Sequence, residues 1–466
     1  MPSQSTATKQ FMSRAMSVFA ANQVKTEGDD LANWGTDWTK SFKVDPLAIV
    51  FPESIDQIVD LVKRAPEWGV ALVPSGGRTG LSGGAVAPNQ EIVVSLDRMN
   101  KILAFHETDK IVHCQAGLVT QRLQEFASDH GLFYPVDFSS SGSSQIGGNI
   151  ATNAGGIRVI RYGMTRRWVA GLTAVTGTGE VLRLNHGLIK NATGYDLRHL
   201  FVGSEGTLGI VVEAEMRLSS QPEEQQVMVL AIPELNRILE VLRAFQNAIE
   251  LSAFEFFSEL ALQKVLAHRD ISRPFSRSSP FYALLEYDAS QFENANETFE
   301  AVLEAGNVVD GVVSQSLSQA TTLWELREGI SESIASYTPY KNDISVRIGE
   351  VPGFLEDVDS VVAQHYPDLE VVWFGHIGDG NLHLNILKPA EISIDDFYQR
   401  CHEISPKLFS LIQNREGSIS AEHGVGLLKR DFLNYSRTNE EIRLMRELKR
   451  VFDPHCILNP NKLLTA

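Results

Sequence analysis

The sequence predicts an α+β protein with two main domains and a short helical segment at the C-terminus. Its 466 residues exceed what one compact core normally holds. Three glycine-rich clusters lie in the first half, whereas the second half alternates helical and strand patterns. The chain also turns polar around Pro222. We therefore place domains at residues 1–220 and 221–425, followed by a helical segment at 426–466.

The individual elements follow from hydrophobic periodicity and turn signals. Ser54, with Gln57 three residues later, predicts a capping box at the start of a helix. The glycine-rich stretch at 139–156 is predicted to be a loop. The other predicted elements of the first half are strands at 71–73, 91–96 and 111–115, a helix at 118–130 and a hairpin at 169–184. Those of the second half are helices at 235–249, 291–305, 394–414 and 439–452, and strands of antiparallel type at 281–287 and 371–375.

Composition excludes several classes of function. Lys plus Arg total 41 and Asp plus Glu total 58, which gives a formal charge of −17 and disfavours nucleic acid and anionic lipid as partners. A site for an anionic substrate would need its own local positive field. Cys114, Cys401 and Cys456 form no Cys-x-x-Cys pair, which argues against an iron–sulfur cluster, a cysteine-bound zinc site and a disulfide framework. The sequence contains no apolar run of about 18 residues, so it predicts no membrane span.

Residues 1–25 are rich in Ser and Thr, contain Lys9, Arg14 and Lys25, and contain no acid. An ordinary N-terminal helix is the simpler interpretation, and a weak transit peptide is the alternative. We therefore expect a cytoplasmic protein in preference to one of the mitochondrial matrix.

The glycine clusters at 74–84, 142–156 and 203–209 suggest a dinucleotide site. Glycine lets the backbone approach a ligand closely and lets successive N–H groups converge on phosphate. The first cluster is neither a Walker A loop nor a Gly-x-Gly-x-x-Gly turn, and by itself it could equally be a surface loop. Three clusters together favour an extended dinucleotide, although their spacing leaves open which one.

Two further segments carry titratable side chains. His376 and His383 flank a Gly-Asp-Gly turn that predicts a hairpin, and Glu422 stands beside His423 in a glycine-flanked segment. Two imidazoles and a carboxylate suit zinc, manganese or iron(II), whereas the alternative is a set of hydrogen-bonded turns. A predicted helix at 324–331 carries cationic and hydroxyl side chains that could bind a carboxylate, but solvated surface residues would look the same.

Five motifs then occur in a fixed order. They are Pro-x-Gly-Gly-x-Thr-Gly from Pro74, Gly-Ser-Ser-x-Ile-Gly-Gly-Asn from Gly142, Asn-Ala-Gly-Gly from Asn153, Tyr-Gly-Met from Tyr162 and Gly-Ser-Glu-Gly-Thr-Leu-Gly from Gly203. This series resembles the FAD domain of the vanillyl-alcohol oxidase family. The second half resembles the D-2-hydroxy-acid dehydrogenase branch of that family, and the resemblance extends over residues 45–465. It implies a two-lobed FAD-binding domain, an α+β substrate domain with an antiparallel sheet, and a C-terminal helical segment that returns to the FAD domain.

The resemblance also assigns cofactor contacts by position. The first loop would bind the pyrophosphate, the second would line the flavin and its ribityl chain, and the third would lie near the adenosine half or a second phosphate contact. Some relatives attach the flavin covalently through a histidine where this chain has Arg78, so we expect non-covalent FAD. The assigned residues are Pro74, Ser75, Gly76, Gly77, Arg78, Thr79, Gly80, Ser82, Gly142, Ser143, Gly147, Gly148, Asn149, Thr152, Gly156, Glu205, Gly206, Ile210 and Asn461.

Roles for the second half follow in the same way. His376, His383 and Glu422 match positions that bind a divalent metal, usually zinc, and His423 matches a catalytic base. Contacts to the substrate are implied, together with His423, for Arg327, Ser331, Lys341 and Asn385. Relatives more often have threonine where this chain has Ser331. Because Glu422 and His423 are adjacent, serving one site would require an irregular backbone, which Gly424 permits.

The activity implied by the resemblance is FAD- and metal-dependent oxidation of a D-2-hydroxy acid, with hydride transfer to flavin N5. A dicarboxylate, D-2-hydroxyglutarate, would use the surplus of cations, and D-lactate and D-malate are the alternatives. The implied electron acceptor is an electron-transfer flavoprotein or a quinone-linked route. The sequence leaves the oligomeric state open, with a homodimer among the possibilities. Two competing interpretations are a metal-dependent hydrolase, which would be colourless, and a flavin-binding sensor, which no hydroxy acid would reduce.

Overall fold

The computed structural model describes residues 6–465, with side chains from Phe11 onward, as two compact units. The first unit comprises the chain up to Gly156, Gly163–Gln221 and the chain from Glu422, and the second comprises Ile157–Tyr162 and Pro222–Ala421. The sequence places the corresponding boundaries after residues 220 and 425. The first five residues of the segment at 1–25 lie outside the described part of the chain.

The first unit is built on two main sheets. A four-stranded sheet has the order β1-β2-β4-β3, in which β2, β3 and β4 run parallel, and a five-stranded antiparallel sheet has the order β5-β6-β10-β8-β9. The short β7 and β11 pair with each other. The strands are β1 Val24–Lys25, β2 Ala48–Val50, β3 Leu72–Ser75, β4 Ile92–Ser95, β5 Ile102–His106, β6 Ile111–Gln115, β7 Leu132–Phe133, β8 Val169–Thr176, β9 Val181–Leu184, β10 Gly209–Arg217 and β11 Ser219–Ser220.

The second unit contains one seven-stranded antiparallel sheet of order β15-β12-β14-β13-β17-β18-β16. Its strands are β12 Gln225–Ile232, β13 Leu251–Ser258, β14 Phe281–Asp288, β15 Asp310–Val313, β16 Tyr340–Ser345, β17 Glu370–His376 and β18 Asn381–Leu387. The antiparallel character predicted for this half is confirmed.

Helices of the first unit are α1 Thr6–Ala15, α2 Gly28–Trp34, α3 Ile55–Trp68, α4 Thr120–Asp129, α5 Ile146–Thr152, α7 Thr165–Trp168, α8 Arg198–Phe201 and α16 Asn439–Phe452. Helices of the second are α6 Val159–Tyr162, α9 Arg237–Ala248, α10 Glu259–His268, α11 Phe292–Glu304, α12 Leu317–Glu328, α13 Ile330–Ser333, α14 Val351–His365 and α15 Ile394–Asn414. Within residues 6–465, none of these helices is both long and apolar enough to cross a membrane.

Two local predictions need correction. Residues 146–152 form a helix instead of a loop, because Ile146 and Ile150 are four residues apart and both are buried on one face. At the start of α3, Ser54 accepts the N–H of Gln57 as predicted, but the Gln57 side chain accepts the N–H of Glu53, so the reciprocal half of the capping box is missing.

The short segment containing α6 belongs to the second unit, where two partly buried ion pairs hold it. Arg158 contacts Glu286 at 2.7 and 3.1 Å, and Arg161 contacts Asp288 at 2.7 and 2.8 Å, with both acids on β14. Arg161 holds the pKa of the Asp288 carboxyl below its usual range. These bidentate pairs fix the geometry of the segment as well as its charge.

Candidate active site

A cavity of the first unit collects the three glycine clusters. Its empty volume, including the part open to solvent, is ≈ 1360 Å³. Loop 74–82, helix α5 and the turn at 205–206 all contribute to the wall. From the predicted cofactor residues, the lining includes Pro74, Ser75, Gly76, Gly77, Arg78, Thr79, Gly80, Ser82, Gly147, Gly148, Asn149, Thr152, Glu205, Gly206 and Ile210.

Two glycines in this wall have different reasons for lacking a side chain. A Cβ on Gly77 would lie 2.0 Å from the Ser143 carbonyl oxygen, so only glycine allows the first loop to pack against the second. A Cβ on Gly148 would meet nothing within 4 Å, although this residue lines the cavity. Gly148 therefore leaves space at the wall that a ligand can fill.

The cavity also presents polar atoms that the protein leaves unbonded. Ser75 Oγ and Gln145 Oε1 are buried and have no hydrogen-bond partner among the described residues. Gln145 is oriented through its Nε2, which donates to Asp97 at 2.8 Å. Buried polar groups without partners are costly, so these atoms are suited to a polar ligand. A dinucleotide, with its ribityl hydroxyls and phosphates, fits this wall.

Four predicted cofactor residues lie outside the lining. They are Gly142, Ser143, Gly156 and Asn461. Ser143 carries the carbonyl that Gly77 approaches, and a Cβ on Gly156 would lie 2.0 Å from the Asp137 carbonyl oxygen, so both take part in the packing of the loops. Asn461 is held through its carbonyl, which accepts from Arg430 at 2.9 Å. The tail reaches the cavity loops through Asn459 instead.

Asn459 and Glu205 connect the third glycine cluster to the C-terminal part of the unit. Asn459 Nδ2 donates to the carbonyls of Glu205 (2.6 Å) and Gly84 (3.0 Å). The Glu205 carboxylate accepts the backbone N–H groups of Val425 (2.8 Å) and Gly426 (2.7 Å). Burial raises the pKa of Glu205 above its usual value. Glu205 thus holds the turn that carries Glu422 and His423.

The turn at 422–426 has the irregular backbone that adjacent functional residues require. Gly424 and Gly426 adopt positive φ values of 80° and 51°. A Cβ on Gly426 would lie 2.1 Å from the Ser82 carbonyl oxygen, so this glycine lets the turn pack against the first loop. As a result, Glu422 and His423 both line the same cavity as the glycine clusters.

In the second unit, strand register places the predicted metal and substrate residues on one face of the sheet. The hairpin β17–β18 is present as predicted, with Phe374 opposite His383 and with ring centroids of His376 and His383 5.3 Å apart. Asn385 lies two residues beyond His383, on the same face, and opposite Lys341 of β16. Lys341 is exposed at the surface of the strand, and desolvation by the surrounding protein lowers the pKa of its ammonium.

Glu255 on β13 lies at the centre of this face. Its carboxylate contacts His376 Nδ1 at 2.7 Å and Arg327 at 2.8 Å, and all three side chains are buried. The Arg327 Cζ lies over the Phe374 ring, 4.7 Å from its centroid, and neither Nε nor Nη2 has a hydrogen-bond partner among the described residues. An imidazole bound at Nδ1 keeps Nε2 for a metal, so the two histidines fit the nitrogen ligands that zinc uses.

The C-terminal end of the second unit lies beside this face. The backbone N–H of Ala421 donates to Asp343 Oδ2 at 3.1 Å, and Asp343 Oδ1 is 3.8 Å from His383 Nδ1.

Ser331 does not share the environment of Arg327. The helix predicted over 324–331 is divided at Gly329 into α12 and α13. Arg327 is 5% exposed, whereas Ser331 is exposed. Ser333 is the buried hydroxyl of α13, and it donates to the Gly329 carbonyl at 2.8 Å.

The fold and the cavity together define a flavoprotein of the FAD-linked oxidase type. Residues 46–185 match the FAD binding domain model, and residues 221–463 match the model for the C-terminal domain of FAD linked oxidases. The chain belongs to this family and is an FAD-dependent oxidoreductase that acts on a CH–OH donor. The predicted α+β fold and the family resemblance are thereby confirmed.

The chain is also similar to individual proteins over most of its length. The chain is 58% identical over 447 residues to D-2-hydroxyglutarate dehydrogenase of Stutzerimonas stutzeri, which covers 95% of this chain and 96% of that protein. It is 53% identical over 446 residues to the protein of the same name in Xanthomonas citri pv. viticola, covering 95% and 94%. The solved structure of 4-ethylphenol oxidase from Gulosibacter chungangensis superposes with a TM-score of 0.78 at 16% identity, covering 99% and 98%, and shares the fold.

Sequence reasoning missed several residues of the site. Gln145 is the variable position of the motif that begins at Gly142, so it was not assigned to the cofactor. Asn459 lies two positions before Asn461, which was assigned instead. Glu255 had the clearest signal, because it is a charged residue inside the otherwise apolar strand Leu251–Ser258. A buried acid in such a strand requires a partner, and this pattern could have marked it.

Proposed function

We propose that this protein oxidises D-2-hydroxyglutarate to 2-oxoglutarate with non-covalently bound FAD and a divalent metal. The observation that carries the proposal is that His423 lines the same cavity as the three glycine clusters. The relatives named for this activity, at 58% and 53% identity over most of the chain, support the choice of substrate.

FAD would be held by the glycine loops, with Ser75 and Gln145 supplying polar contacts. When bound, it supplies the electron acceptor of the reaction, taking the substrate C2 hydrogen as hydride at N5. Arg78, at the position of the covalent histidine in some relatives, has a guanidinium directed toward Asp97 (3.5 Å) and the Trp34 ring. An arginine at this position forms no covalent bond to the flavin. Acid precipitation should therefore leave the yellow colour in the supernatant, and colour retained in the pellet would contradict this.

A divalent metal, zinc by the chemistry of the donors, would be held by His376, His383 and Glu422. When bound, it supplies a Lewis acid that lowers the pKa of the substrate hydroxyl. The contact between Glu255 and His376 Nδ1 supports binding through Nε2. Glu422 would be the carboxylate ligand because it matches the metal-binding position of the relatives.

The remaining steps belong to the chain's own residues. His423 would accept the hydroxyl proton as the substrate is oxidised. Arg327, with its unbonded Nε, would bind one carboxylate, and Lys341 and Asn385 would contact the other polar groups. The chain's formal charge of −17 makes such local cations necessary for a dianionic substrate. Ser331, which is exposed, would add a hydroxyl contact to the substrate. Reoxidation would use an electron-transfer flavoprotein or a quinone-linked acceptor.

A dye-linked assay tests the substrate directly. The zinc-loaded holoenzyme should form 2-oxoglutarate from D-2-hydroxyglutarate and not from the L enantiomer. A higher kcat/KM for D-malate or D-lactate would support the proposed reaction but replace D-2-hydroxyglutarate as the proposed substrate. The absence of turnover with every D-2-hydroxy acid would reject the proposal.

A further inference from the structure

A single fully buried carboxylate joins two groups that the proposed function uses separately. Glu255 has an exposed side-chain fraction of 1%, and one of its oxygens contacts His376 while the other contacts Arg327. A buried charge of this kind is costly unless it is paired and hydrogen-bonded. Both of its partners are residues of the site, and neither is an ordinary structural cation.

The contact with His376 selects a tautomer. A carboxylate oxygen at 2.7 Å from Nδ1 favours a proton on Nδ1, and in the neutral imidazole the lone pair is then on Nε2. This arrangement makes the imidazole a better metal ligand and fixes the plane of its ring. His383 has a different carboxylate nearby, because its Nδ1 is 3.8 Å from Asp343.

The contact with Arg327 fixes the guanidinium. Its Nη2 forms an ion pair with Glu255 Oε2 at 2.8 Å, its Cζ lies over the Phe374 ring, and α12 is anchored to the sheet by a hydrogen bond from Trp324 to Glu286 at 3.0 Å. Neither Nη2 nor Nε has a hydrogen-bond partner among the described residues, so the ion pair leaves donors of the guanidinium for a ligand. A free arginine side chain would have to lose rotamer entropy to reach the same pose.

We propose that Glu255 is a positioning residue that orients His376 for the metal and Arg327 for the substrate carboxylate at the same time. The proposal rests on the proposed function for the identity of both ligands. Since one carboxylate serves both partners, its loss should weaken metal binding and substrate binding together. A residue with a purely structural role would lower stability and leave both affinities unchanged.

The test uses FAD-loaded protein stripped of metal and titrated with Zn²⁺ in competition with a chromogenic chelator. In Glu255→Ala, the zinc Kd should rise about 10- to 100-fold. At saturating zinc, the KM for D-2-hydroxyglutarate should rise by about tenfold or more, with a smaller change in kcat. The flavin spectrum and FAD stoichiometry should match those of the wild type.

Two further variants keep the test decisive. Glu255→Gln retains the volume but can accept from only one of the two donors, so it should impair the zinc Kd or the KM and largely spare the other. Asp288→Asn is the matched control. Asp288 is also a buried acid of this sheet and is paired with Arg161, but its bonds to that arginine do not involve His376 or Arg327. The control should lower the thermal midpoint without changing the zinc Kd or the KM.

A wild-type zinc Kd together with a wild-type KM in folded Glu255→Ala or Glu255→Gln would overturn the proposal. If the wild-type protein fails to oxidise D-2-hydroxyglutarate, the proposed function fails, while the zinc titration still measures the action of Glu255 on His376.

Discussion

Single residues carry most of the chemistry, and the turn at 422–426 illustrates how their positions are fixed. His423 lines the cofactor cavity because Glu205 binds the N–H groups that follow it and because Gly424 and Gly426 adopt positive φ. His423, the proposed base, is therefore placed by a carboxylate more than 200 positions earlier in the chain.

Replacing His423 tests its role as the base. His423→Asn should lower kcat by about 10²- to 10⁴-fold, because proton transfer from the hydroxyl would lose its acceptor. FAD content and the flavin spectrum should remain those of the wild type, which serves as the control for folding. A variant that retains kcat within a factor of two would remove His423 from this role.

A buried lysine gives a prediction for stability. Lys462 is 1% exposed, its Nζ has no hydrogen-bond partner among the described residues, and burial lowers the pKa of its ammonium to about 8. Between pH 8 and about 10.4, the unfolded chain binds a proton that the folded chain does not, so the folded state gains stability as pH rises.

Lys462→Met removes this titration. From pH 8 to pH 10, the free energy of unfolding of the wild type should rise relative to the variant, by at most about 1.4 kcal/mol per pH unit. Denaturant unfolding at several pH values measures the difference. A difference that stays constant, or that falls with pH, would show that the ammonium is not destabilised by burial.

At the scale of elements, loops and strands bring distant residues together through sterics and register. The glycine clusters meet because Gly77 permits contact with the carbonyl of Ser143. In the second unit, alternation along β13, β17, β18 and β16 places the site residues on one face. Their arrangement depends on which strands pair, and the strand order is not evident from local sequence.

Two glycine variants separate cofactor binding from folding. Gly148→Ala places a methyl group in open space at the cavity wall, so it should weaken FAD binding about tenfold. The stability of the apoprotein should be unchanged or raised by about 0.5–1 kcal/mol, because Gly148 lies within α5. Gly77→Ala should instead lower stability by about 1–3 kcal/mol, because its Cβ meets backbone. Equal FAD affinity in Gly148→Ala and the wild type would show that this wall does not contact the cofactor.

At the scale of the whole molecule, the sequence predicts the fold class and the ordered glycine motifs, because both depend on local pattern. It also predicts the β17–β18 hairpin, since the Gly-Asp-Gly turn is a local signal. It does not predict Glu255, Asn459 or the anchoring role of Glu205, because each acts through contacts between residues far apart in the chain. Helix α5 was missed because its glycines outweighed the spacing of its two buried isoleucines.

The central claim is that bound FAD is reduced by a D-2-hydroxy dicarboxylate. The most direct measurement is the anaerobic visible spectrum of the zinc-loaded holoenzyme as D-2-hydroxyglutarate, L-2-hydroxyglutarate, D-malate and D-lactate are added to separate samples. The account predicts that D-2-hydroxyglutarate bleaches the flavin band fastest and that its L enantiomer leaves the band unchanged. A flavin band that no 2-hydroxy acid bleaches, or that the L enantiomer bleaches as readily as the D enantiomer, would contradict it.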